Sequence, residues 1–151
     1  MRCFDLREAC GDIVRATHDL PGIGGYKIGL TLALGFGLKA VVEMIRRQTE
    51  KPIIYDHQKA GTDIPGLGSE FARIVSSSGV NAVILFPFGG AATERAWIAD
   101  CQEEDLTVLV GGHMTQPEFL ASEGGFVAED APGLIYITAA VNGYQLRRSG
   151  Q

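Results

Sequence analysis

The chain has 151 residues, 46% of them hydrophobic and 21% charged, and a net charge of −5. That size holds one domain, 1–151, with a core of its own. An acidic balance with no basic block beyond adjacent pairs such as Arg147-Arg148 disfavours nucleic acid as a partner, since phosphate binding needs clustered Lys and Arg.

No apolar run approaches the ~20 residues of a membrane span, so a membrane partner is not expected. Met1-Arg2-Cys3-Phe4-Asp5 lacks a signal-peptide layout. Cys3, Cys10 and Cys101 are odd in number, far apart and outside metal-ligand spacing. Such usage points to a reducing, cytoplasmic setting in which each is a small core residue or a bystander.

In chain order, Cys3-Phe4-Asp5-Leu6 suggests the tail of a first strand, and residues 7–20 read as a helix with Ile13, Val14 and Thr17 on one side, stopped by Pro21-Gly22. Tyr26 to Leu30 reads as a strand. Residues 38–50 form a second helix, apolar at Leu38, Val41, Val42 and Ile45. Ile53 to Tyr55 is the next strand. Leu67 to Ser78 is a third helix with Phe71, Ile74 and Val75 inward and Gly79 as its stop. Val80 to Phe86 is an apolar strand of the kind covered on both faces. Residues 91–104 form a fourth helix, Leu106 to Val110 another buried strand, and Gly111 to Thr115 the loop after it. A last helix is expected over 130–141, and the final ten residues show no pattern.

Strands and helices thus alternate at intervals of roughly 25 residues, the βα repeat of a parallel α/β fold. Periodicity leaves two architectures open, a doubly wound sheet and a (β/α)8 barrel. A full barrel takes at least ~200 residues, so this chain has room for about five or six βα units.

The chemistry concentrates in Lys51-Pro52-Ile53-Ile54-Tyr55-Asp56-His57-Gln58-Lys59-Ala60-Gly61-Thr62-Asp63-Ile64-Pro65-Gly66. A β-forming run ends in a carboxylate and is followed by an imidazole, an ammonium and a second carboxylate. α/β proteins build sites at the carboxyl edge of the sheet in this way. Alternating Lys27, Asp56, Lys59 and Asp63 in one pocket would stabilise one another's charged forms. They would also destabilise a bound carboxylate and stabilise the carbanion left by its loss, which suits decarboxylation. His57 is a further titratable group, read as turned away from the pocket. A metal held by Asp56, His57 and Asp63 is disfavoured, because Lys59 brings the positive charge itself. Gly35-Phe36-Gly37-Leu38-Lys39-Ala40 matches a dinucleotide fingerprint. Its distance from the strand at 26–30 is too long for a phosphate turn, so no nicotinamide cofactor is expected.

Tyr26-Lys27-Ile28-Gly29, Asp56…Lys59…Asp63-Ile64-Pro65, the strand Ala82 to Phe86, Gly111-Gly112-His113-Met114-Thr115 and Gly124 to Pro132 occur in the order seen in orotidine 5′-monophosphate decarboxylases. The chain resembles that family from about residue 12 to 141. The resemblance implies an incomplete (β/α)8 TIM-type barrel, a homodimer with shared active sites, no cofactor and no metal, and conversion of orotidine monophosphate (OMP) to uridine monophosphate (UMP). It implies that Lys27 joins the charge network and contacts the ribose, that Asp56 faces the substrate carboxylate, and that Lys59 protonates carbon 6. Asp63, with Ile64 beside it, would complete the partner's site. Thr115, next to Met114, would bind the pyrimidine.

Two features depart from that family. Its Asp-x-Lys-x-x-Asp is Asp-x-x-Lys-x-x-x-Asp here, a difference that a bulge at the strand end would absorb. The last strands, with their phosphate-gripping loop, are expected to be missing, as in a shortened member. Two alternatives therefore stay open. One is a Mg²⁺-dependent sugar-phosphate lyase of the same superfamily. The other is a non-catalytic fragment that binds a nucleotide or a partner subunit.

Overall fold

The computed structural model describes residues 3–57, 60–113, 135–140 and 143–148. Helix α1 (Cys3–Thr17) leads to strand β1 (Tyr26–Gly29), and two short helices follow, α2 (Leu30–Phe36) and α3 (Leu38–Arg46). Strand β2 (Ile53–Asp56) passes through a 3₁₀ turn (Pro65–Leu67) into α4 (Gly68–Ser77). Then come β3 (Ala82–Leu85), α5 (Ala91–Glu103), β4 (Thr107–His113), β5 (Ile135–Ala140) and β6 (Gly143–Arg148).

The strands lie side by side in the order β1-β2-β3-β4-β5-β6. The first five are parallel, and β6 returns antiparallel on β5. A doubly wound sheet reverses its order at a switch point; this one does not. Strict succession is how a (β/α) barrel winds, so the fold is α/β of the TIM-barrel type and incomplete.

Alternation along the strands separates two faces. Ile28, Ile53, Tyr55, Val83, Leu85, Val108 and Val110 pack in one core with Val14 of α1, Val41, Val42 and Ile45 of α3, Ala72 and Val75 of α4, and Trp97, Ile98 and Cys101 of α5. Ala82, Ile84 and Leu109 form a second, smaller cluster with Ile54 and Phe86, to which no described helix contributes. The helices therefore cover one face, and the other corresponds to the inside of a barrel. A Cβ at Gly111 would run into the Phe86 ring, so glycine there lets that ring lie over β4.

At the amino ends of the strands one side chain joins two of them. Asn81 Oδ1 accepts from the Ile53 amide at 2.9 Å and from Arg46 at 2.6 Å. Arg46 also donates to the Lys51 carbonyl at 2.7 Å.

Several expectations change. Cys3 to Leu6 begins α1 and is not a strand tail. An unexpected helix, α2, fills the stretch before Gly37, whose φ of +80° is the joint between α2 and α3. Of the dinucleotide-like motif's glycines, Gly35 lies within α2 and Gly37 turns that helix into the next, so they form no strand-to-helix phosphate turn. Gly111 to His113 continue β4. In place of a helix over 130–141, the described part, Ile135–Ala140, is a strand, and part of the patternless tail is its partner β6. Ile135-Tyr136-Ile137-Thr138 is β-branched and aromatic, and Asn142-Gly143 is a hairpin signal that the helical reading passed over. Ile74, expected inward, is exposed, and so is Ile13, read on one side of the first helix with Val14 and Thr17.

Candidate functional site

Register decides what meets at the carboxyl edge. Lys27 pairs with Ile54, and Asp56 with Gly29 and Ile84, which sets Lys27 and Asp56 on the barrel-interior face. Asp56 ends β2. Lys27 is only the second residue of β1, and its stem spans the difference: Nζ lies 2.8 Å from Asp56 Oδ2. The Asp56 side chain is 8% exposed and that of Lys27 39%. A carboxylate is so costly to bury that a cationic partner at this distance is what permits it.

The loop after β2 is tied down at successive points. The Ala60 carbonyl accepts from the Phe86 amide at 2.7 Å. Gly61, at φ +85°, turns the chain against Pro87. The Asp63 carbonyl accepts from Thr93 Oγ1 at 2.9 Å and the Ile64 carbonyl from Trp97 Nε1 at 3.0 Å. Holding these two carbonyls toward α5 leaves the side chains of Asp63 and Ile64 exposed. Asp63 Oδ1 accepts the Ile64 amide at 2.7 Å, an arrangement that fixes the start of the 3₁₀ turn.

On the opposite face of β2, Tyr55 Oη and His57 Nδ1 are 2.6 Å apart. The His57 ring meets Phe71 edge-on, and Phe71 lies against Trp97. Burial lowers the His57 pKa, and the neighbouring Asp56 opposes this in part. Burial first, and then Asp56, raises that of Tyr55. His57 thus belongs to the helix side of the sheet, apart from the Asp56 carboxylate. Among the described residues no three His, Cys, Asp or Glu side chains converge as a metal site.

Of the residues singled out from the sequence, Lys27 and Asp56 are brought into contact, while Asp63 and Ile64 stand on the rim. Lys59, Met114 and Thr115 lie outside the described residues. Sequence reasoning missed Thr93 and Trp97, which hold the loop from α5, and Glu94, fully buried in the first turn of that helix. A carboxyl group four residues after the Gly89-Gly90 turn was the available signal for Glu94, because helix amino ends favour negative charge. For Thr93 and Trp97 there was none, since their partners lie thirty-odd residues earlier.

No protein-family model matches the chain, and no curated protein matches it in sequence. Solved structures do match. Orotidine 5′-monophosphate decarboxylase from Methanocaldococcus jannaschii aligns at 23% identity with a TM-score of 0.63, over 74% of this chain and 52% of that one. Orotidine 5′-phosphate decarboxylase from Pyrococcus horikoshii aligns at 26% identity and a TM-score of 0.62, over 76% of this chain and 52% of that one. The M. jannaschii enzyme complexed with the inhibitor BMP aligns at 24% identity and a TM-score of 0.66, with coverage of 76% and 52%. The chain is thus orotidine 5′-monophosphate decarboxylase-like in fold, and it spans about half the length of the solved enzymes it matches.

Proposed function

We propose that this chain carries the charge network of an orotidine 5′-monophosphate decarboxylase. The observation that carries the reading is the 2.8 Å contact between Lys27 and the buried Asp56 on the barrel-interior face, at the carboxyl end of β2. In this reading Asp56 faces the substrate carboxylate and raises the energy of the ground state. The bond from carbon 6 to the carboxylate breaks, its electron pair stays on carbon 6, and carbon dioxide leaves. The Lys59 ammonium stabilises that carbanion and gives it a proton. Lys27 pairs with Asp56 and reaches the ribose. Met114 and Thr115 contact the pyrimidine. Fixed charges perform the chemistry, and neither a metal nor an organic cofactor takes part.

Asp63 and Ile64 serve a second copy of the chain. Their exposed side chains, on a loop anchored by its backbone, support a role outside their own protomer. The protein would then act as a cytoplasmic homodimer with shared sites.

The test is the decarboxylation of orotidine monophosphate, preceded by calorimetry with uridine monophosphate. Turnover that survives EDTA supports this reading. Turnover lost to EDTA favours a Mg²⁺-dependent sugar-phosphate lyase. Binding without turnover favours a non-catalytic nucleotide-binding chain.

A further inference from the structure

The loop that carries Lys59 and Asp63 leaves β2 at His57 and enters the 3₁₀ turn at Pro65. Its two ends are joined behind the sheet through one line of aromatic side chains. Tyr55 Oη meets His57 Nδ1 at 2.6 Å. The His57 and Phe71 rings are 6.0 Å apart at 65°, and the Phe71 and Trp97 rings 5.1 Å apart at 36°. Trp97 Nε1 closes the line by donating to the Ile64 carbonyl at 3.0 Å.

We propose that Tyr55, His57, Phe71 and Trp97 form a bracket gripping both ends of the 57–64 loop, which makes His57 and Trp97 positioning residues for the charged groups on that loop. The proposal rests on the decarboxylase reading for what is positioned, but not for the grip itself. Three features carry it. Tyr55 is buried in the main core, so its hydroxyl is a fixed post. Phe71 and Trp97 come from two different helices, α4 and α5, and tie the loop to the scaffold rather than to itself. The contacts at Ala60 and Asp63, from the Phe86 amide and Thr93 Oγ1, lie between the two gripped ends and fix the loop at those two residues. A charge network works only if its members stay within a fraction of an ångström of their places.

The chain has one tryptophan, so its indole N–H gives a single proton signal. Exchange of that proton reads the grip on Ile64, and exchange of the Phe86 amide reads the grip on Ala60. His57→Leu keeps bulk but offers no polar atom to Tyr55; His57→Asn places an amide oxygen near the former Nδ1. In the full chain, His57→Leu is expected to speed both exchanges by at least about tenfold while the amides of β3 and β4 stay unchanged. His57→Asn is expected to restore most of the protection. Unchanged exchange, or a general rise across the sheet, would overturn the bracket. Exchange measures the grip whether or not the chain turns over orotidine monophosphate, so absent wild-type turnover counts against the decarboxylase reading alone. With an active wild type, His57→Leu should lower kcat by roughly 10–100-fold with little change in KM, and His57→Asn should recover it. Fast exchange with an unchanged kcat would remove the positioning role.

Discussion

Lys27 Nζ and Asp56 Oδ2 meet at 2.8 Å although their backbones are offset by two positions, Lys27 lying opposite Ile54. The pair therefore crosses diagonally between two parallel strands, with the long lysine stem supplying the reach. The buried member is the carboxylate, and the cation keeps partial access to water.

Replacing Asp56 by Asn preserves shape and removes the charge. Under the decarboxylase reading, turnover should fall by about 10²–10³-fold, the loss typical of removing one preorganised electrostatic group. Folding should be retained, because the partly exposed Lys27 can rehydrate. A steady-state assay beside a circular-dichroism melt checks both. Lys59→Ala should likewise abolish turnover in a folded protein; a wild-type rate in either variant removes that residue from the mechanism.

Asn81 is the polar fastener at the amino ends of β2 and β3, its one side-chain oxygen serving both the Ile53 amide and Arg46. Asn81→Ala takes away an acceptor shared by two donors, and the predicted cost is about 1–3 kcal/mol of stability. Urea unfolding measures it. A midpoint equal to that of the wild type would mean that water replaces the amide without loss.

At Gly68, the first residue of α4, a Cβ would lie 3.1 Å from the Trp97 Cα and 3.1 Å from its ring. The ring could shift, but the backbone of α5 cannot do so cheaply. Gly68→Ala gains up to ~1 kcal/mol of helix preference, against an overpacking cost of ~1–3 kcal/mol. The crowding should win, lowering the melting temperature and separating α4 from α5. A rise in the melting temperature would show that the two helices have slack between them.

His57 gives the acid side of the stability profile a definite sign. Burial lowers its pKa in the folded chain below the ordinary 6.5. The unfolded chain therefore takes up the proton first as pH falls. This contribution to stability is complete above 6.5, is lost as pH drops from there toward the lower folded value, and changes no further below it. His57→Asn should flatten this part of the curve. Denaturant midpoints between neutral and mildly acidic pH compare the two; equal slopes in both proteins would contradict the assignment to His57.

The βα repeat was legible because short apolar strands and helices of period 3.6 are local properties, visible in any window of a dozen residues. Ile53-Ile54-Tyr55-Asp56 announced both a strand and its charged end, and β2 spans those four residues. Where the local signal was mixed the reading failed. The stretch 130–141 suits a helix by length, whereas Ile135 to Ala140 within it suits a strand by composition, and pairing with β4 and β6 made it a strand. Ile74 lies on an apolar stripe with Phe71 and Val75, yet it is 61% exposed, because α4 turns only the Ala72–Val75 side onto the sheet.

The sequence by itself determined the alternation of elements, the burial of β3, and the placing of a carboxylate at the end of β2 with an imidazole and an ammonium next in the chain. Only the tertiary structure decided that the strands follow one another without reversal, that Lys27 reaches Asp56, and that His57, turned from that pair, meets Tyr55 and Phe71 behind the sheet. The physical reason is separation along the chain. Lys27 and Asp56 are twenty-nine residues apart, and Ile64 and Trp97 thirty-three. Contacts of that range are set by strand register and helix packing, which no short stretch of residues contains.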